Sequence, residues 1–188
     1  MKWIASFFVR AKSWQIFILL FGVMVLSQIA AATADAEKML PRIWGFTLLF
    51  MLCFEGWFWA LGTFLNSIVR PALRPGVSFF RFALIYPMIY LPVFMLVFPP
   101  SPKMLTLIFP LHLFAMVCIF YLLNFVSKNL VLAEAGKEVS FYDYSGPFFL
   151  LWFFPIGVWV VQPRINALYA ESKLGEDHPG EAAASPRV

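Results

Sequence analysis

Residues 43–65 read IWGFTLLFMLCFEGWFWALGTFL, twenty-three positions with one charged side chain, Glu55. As a helix this stretch is about 34 Å long, enough to cross a hydrocarbon core of roughly 30 Å. It has no polar face of the kind a helix packed on a soluble core presents. Four further apolar runs flank it, at 14–32, 79–98, 104–126 and 147–161. Together the five runs contain 100 of the 188 residues and only two charges, Glu55 and Arg81. The composition agrees: 62% of residues are apolar and 13% charged, against about 45–50% and 25% in ordinary soluble domains. The expected architecture is an all-α integral membrane protein. It has four transmembrane helices and a short C-terminal membrane segment, broken by Pro155 and Gly157, that is either re-entrant or a fifth span.

The remaining sequence organises around these runs. Residues 1–13 form a basic, aromatic leader expected at the cytoplasmic interface, with Trp3, Phe7 and Phe8 between Lys2, Arg10 and Lys12. The leader and first run have the ingredients of a cleaved signal, including small residues at 32–34, but the run is long enough to be kept as a span. Pro41 marks a break before the second span, and residues 127–139 read as a short amphipathic surface helix. Ser140 followed by Asp143 reads as the cap of a new helix. The helical membrane domain is expected over 14–170, with 171–188 a disordered tail rich in Glu, Ala, Pro and Gly.

Orientation follows from Lys and Arg. With the N-terminus inside and a re-entrant last segment, eleven lie inside and three, Lys38, Arg42 and Lys103, outside. A fifth complete span evens this to eight against six. The re-entrant arrangement suits both the charge bias and the run 147–161, whose 15 residues cover only about 22 Å.

At the two ends the chain carries WFFPIGVW (152–159) followed by QPRIN (162–166), and AKSWQIF (11–17). These stretches resemble the ends of small uncharacterised bacterial multi-pass membrane proteins. The resemblance implies a bacterial inner-membrane location and brings no activity and no functional residue with it.

Glu55 is the sharpest candidate for function, since an intramembrane acid must be neutral, paired or wetted. Counted from the span starts, His112 lies about 6 Å from its level, and Tyr90 is central in the third span. The sequence therefore suggests an intramembrane polar cluster of Glu55, Tyr90 and His112, serving helix packing, proton relay or cation binding. Arg164 with Asn166 reads as a lipid-headgroup contact or snorkelling anchor. Gly56 and Ala60 form a weak small-xxx-small helix-pairing signal. Cys53 and Cys118 read as packing residues. No catalytic signature, cofactor motif or metal-ligand spacing occurs in the sequence, and no basic block suggests nucleic acid. The expected function is a non-enzymatic scaffold, accessory subunit or partner-binding element of the bacterial inner membrane. Membrane lipids and another membrane protein, or a second copy, are the expected partners. A small oligomeric ion or proton pathway through Glu55, Tyr90 and His112 is the alternative.

Overall fold

The computed structural model describes residues 2–97 and 101–177. The described residues form seven α-helices and one 3-10 turn and no strand. The helices are α1 (Lys2–Arg10), α2 (Ser13–Ala32), α3 (Ala36–Ile68), α4 (Ser78–Leu96), α5 (Pro102–Ala135), α6 (Phe141–Trp152) and α7 (Phe154–Asp177). Four of them, α2 to α5, are long and apolar enough to cross a membrane.

The expected spans grow at their ends, for local reasons. Pro41 lies inside α3 rather than before it. In the second turn of a helix a proline forfeits one backbone bond, and α3 otherwise begins at an exposed turn after Asp35. The expected surface helix over 127–139 does not form separately; α5 runs unbroken to Ala135. Ser127 and Asn129 fold their side chains back onto the carbonyls of Leu123 and Phe125, at 2.7 and 2.8 Å, and are fully buried. What ends α5 is Gly136, in the left-handed region at φ 61°, whose amide bonds the Leu132 carbonyl. The Ser140–Asp143 cap is present, with the Ser140 amide donating to the Asp143 carboxylate at 2.6 Å.

The last two helices form a tight hairpin. α6 climbs antiparallel to α5: Tyr144 meets Asn124, and Trp152 packs on Phe120 with ring centres 4.5 Å apart. Phe153 breaks the helix, and α7 then descends. Phe154 lies beside Phe50 and Phe54 of α3, Trp159 beside Phe17 of α2, and Arg164 reaches Glu134 near the foot of α5. Only glycine allows the turn at Gly157, since a Cβ there would sit 1.7 Å from the Leu150 carbonyl oxygen. α7 continues through Asp177, into the segment expected to be a disordered tail; the expectation for 178–188 lies outside the described residues.

Packing is uneven along the bundle axis. One end carries α1, the feet of α3 and α5, and α7, and holds most of the core: Trp57, Phe58, Leu61, Leu65, Leu122, Leu130 and Ile165 are fully buried. Toward the other end the side chains of α2, α4 and α5 face outward, as Ile18, Ile89, Leu107 and Phe109 do. That is the distribution expected when the solvent is lipid, which rewards no burial of apolar groups. α2 packs chiefly on α3 and α4 on α5, while α4 touches α3 less.

Candidate functional site

The point where α4 meets α3 is Phe80. Its ring stacks on Phe125 of α5 at 4.2 Å and covers Gly62 of α3 so closely that a Cβ at 62 would fall 2.3 Å from it. On both sides of this contact the two helices leave space between them. The space between them is a groove of about 1040 Å³, at the upper end of the range for ligand sites. Phe80, Leu84, Ile85, Met88 and Ile89 of α4 line one wall; Leu52, Glu55, Trp59, Thr63, Asn66 and Ser67 of α3 line the other. On α3 the polar members Glu55, Thr63, Asn66 and Ser67 lie at i, i+8, i+11 and i+12, which puts them on one helical face. The groove is graded. Thr63, Asn66, Ser67, Arg74 and Arg81 gather at its foot, while its upper part is aliphatic.

Glu55 stands in this wall. It is 5% exposed, and neither carboxyl oxygen has a hydrogen-bond partner among the described residues. The helix rise places it about 29 Å from Ala36, past the middle of α3 and level with the start of α2. Cys118 of α5 is close enough to interact with it electrostatically. Tyr90 and His112 do meet, with the hydroxyl 3.2 Å from Nδ1 across the α4–α5 contact, but Glu55 is hydrogen-bonded to neither. The expected three-residue cluster is thus a bonded pair and a separate acid. Tyr86, stacked one turn from Tyr90, donates to the Leu111 carbonyl at 3.1 Å.

Arg164 and Asn166 have protein partners. Arg164 forms a two-pronged ion pair with Glu134, Nε to Oε1 at 2.8 Å, and both side chains are about a third exposed. Asn166 donates to the carbonyls of Val9 at 2.7 Å and Ala11 at 3.3 Å. Gln162, one turn earlier on the same face, is fully buried. It donates to Phe8 and Ala11 carbonyls, each at 3.0 Å, and accepts from the Trp57 indole at 3.1 Å. The pair therefore satisfies the last carbonyls of α1, groups a helix end always leaves over. Sequence reasoning passed over Gln162, although an amide following an apolar run, four residues before another amide, signals such a face. Gly56 and Ala60 are likewise taken up inside the chain: Phe8 lies against Gly56, and Ala60 is fully buried.

At the foot of the bundle, Asn66 donates to the Pro75 carbonyl and to Asn129, both at 3.1 Å. Arg74 donates to the Val69 and Ser67 carbonyls at 2.8 and 2.6 Å, closing the end of α3. Arg81 is exposed and makes no ion pair or hydrogen bond among the described residues. No group of three or more metal-ligating side chains occurs among them either. Comparison with protein-family models, with curated proteins and with solved structures found no match.

Proposed function

We propose that this chain is a non-enzymatic binding element of a bacterial inner membrane, of the scaffold or accessory-subunit kind, and that its working surface is the α3–α4 groove. One observation carries the reading: a buried carboxyl group in the groove wall whose hydrogen-bonding capacity no described residue fills. Buried polar groups are nearly always satisfied, and a bound molecule is one of the things that accounts for an exception. In the proposed orientation the N-terminus and the mouth of the α6–α7 hairpin face the cytoplasm. The hairpin's shape supports a re-entrant segment. α6 spans about 18 Å, short of the hydrocarbon core, and α7 returns toward the foot of α5. The excess of Lys and Arg on that side supports the same orientation, and the likeness of the chain ends to bacterial multi-pass proteins supports the location.

The test is Glu55→Leu. Because it removes a buried, unsatisfied acid, the isolated chain should become more stable, by about 1–3 kcal/mol. The species that co-purifies with the wild type in mild detergent should be lost. A residue retained for activity at the expense of stability behaves in this way. A variant that is destabilised, or that retains its partner, overturns the reading.

A further inference from the structure

The groove's grading identifies its occupant, an inference that rests on the binding reading above. Its long axis follows the helices, so its polarity changes in the direction along which polarity changes in a bilayer leaflet. At the foot stand two arginines, one capping α3 and one unpaired, with the hydroxyls of Thr63 and Ser67 beside them and no acid. That end is complementary to an anion. Above it, Ile85, Met88 and Ile89 offer only apolar surface. Glu55 lies at the height of this apolar zone. The Phe80–Gly62 contact sets α3 against α4 and puts Glu55 level with about residue 87, roughly 9 Å above Arg81 along the axis. This is also the level of the α1–α2 joint.

We propose that the α3–α4 groove binds one anionic phospholipid drawn from the surrounding leaflet. Its phosphate lies at Arg81 and Arg74, and its chains run along Ile85, Met88 and Ile89. Glu55 has a role in this arrangement. An isolated carboxylate at such a position costs far more to bury than the neutral acid, and the acid form carries an O–H donor. The acceptors a phospholipid carries below its phosphate are its ester carbonyls, at the edge of the hydrocarbon layer. The lipid thereby supplies the partner that the described residues do not.

The experiment is native mass spectrometry of the purified full chain, titrated in mild detergent with palmitoyl-oleoyl phosphatidylglycerol or phosphatidylcholine. One phosphatidylglycerol per chain is expected, in preference to phosphatidylcholine. Arg81→Gln should weaken it roughly tenfold, the effect of one charge-assisted phosphate contact. Ile85→Trp, which fills the groove from an exposed position, should weaken it at least as much. Lys103→Gln, a like loss of charge at the opposite end of the bundle, should leave it unchanged. Equal binding of the two lipids, retention by Ile85→Trp, or an equal loss in Lys103→Gln each overturns the proposal. A stoichiometric polypeptide bound in place of lipid overturns it while leaving the binding-element reading intact; a bare chain that takes up neither refutes both. Thermal melts of each variant ensure that a loss of binding is not a loss of fold.

Discussion

Replacing Gln162 by methionine, close to it in volume and without hydrogen-bonding atoms, tests how the packed end of the molecule is held. In the native chain Gln162 is fully buried and makes three bonds, to the Trp57 indole and to the carbonyls of Phe8 and Ala11. After substitution Ala11 keeps a bond from Asn166 at 3.3 Å, so two groups are orphaned, the Trp57 N–H and the Phe8 carbonyl. Each unsatisfied buried group costs about 1–3 kcal/mol. Values for side-chain bonds between membrane helices fall at the low end, near 0.6 kcal/mol. Gln162, which bonds the end of α1, lies between those environments, so about 2–3 kcal/mol is expected. For a chain of this size that corresponds to a melting shift of roughly 4–12 °C, followed by intrinsic tryptophan fluorescence in detergent.

The loss should be local before it is global, because α1 is the element these bonds hold. Tryptic cleavage after Arg10 and Lys12 should accelerate in Gln162→Met well below the melting temperature, while cleavage elsewhere stays unchanged. Trp57→Phe removes the other member of the indole bond, and the double variant should cost less than the sum of the two singles. A shift under about 0.5 kcal/mol with unchanged cleavage at Arg10 and Lys12 would refute the claim that Gln162 fastens the leader to the bundle.

Four other perturbations have clear expectations. Gly62→Ala pushes a Cβ into the Phe80 ring, a clash at the α3–α4 pivot expected to cost about 1–3 kcal/mol by chemical denaturation. Gly157→Ala sets a Cβ against the Leu150 carbonyl, which cannot move aside as a side chain can, so this variant should fail to yield a monodisperse protein on gel filtration. Glu134→Gln and Arg164→Ala should each cost about 1 kcal/mol or less, because the ion pair is a third exposed, with a coupling in a double-variant cycle that falls as salt is added. Asp143, held below the usual carboxylate range by the bonds from Ser140, stabilises the start of α6 at pH values above that range. The contribution is lost as pH falls through the lowered value, so the melting difference between wild type and Asp143→Asn should vanish in acid.

Much of the architecture is legible in the sequence because lipid imposes a simple rule: a spanning helix must be long and apolar. The four spans follow from that rule alone. Their ends do not, since Pro41 stays in an exposed part of α3 without breaking it, and Ser127 and Asn129 after Val126 bond back to their own helix. The site was legible only in part. Glu55 announces itself by its cost, but its surroundings depend on which way each helix is turned, and axial counting carries no azimuth. Tyr90 and His112 are therefore hydrogen-bonded to each other and not to Glu55. The pairing of Arg164 with Asn166 fails for a reason the sequence did contain. Residues two apart on a helix point about 200° from each other and do not serve one ligand. Four-residue spacing joins Gln162 to Asn166 instead, and that face meets α1.

The uneven packing explains how a groove can persist in so small a protein. If the core extended over the whole bundle, α3 and α4 would close on each other wherever aliphatic side chains faced across the gap. In water that closure is driven by burial; between lipid tails it is not, because lipid solvates Ile85 and Ile89 as well as a neighbouring helix does. The parting of the helices then depends on what fixes their feet, and there Phe80 is wedged between Gly62 and Phe125. Fold and binding are therefore separable along the axis. Changes at Ile85 or Met88 should alter what the groove accepts and leave stability nearly untouched, since little is packed on those side chains. Phe80 is where the two meet. Its truncation to alanine would both remove a buried aromatic, at about 3–5 kcal/mol, and free α4 to shift against α3, so loss of the groove and loss of the core should occur together.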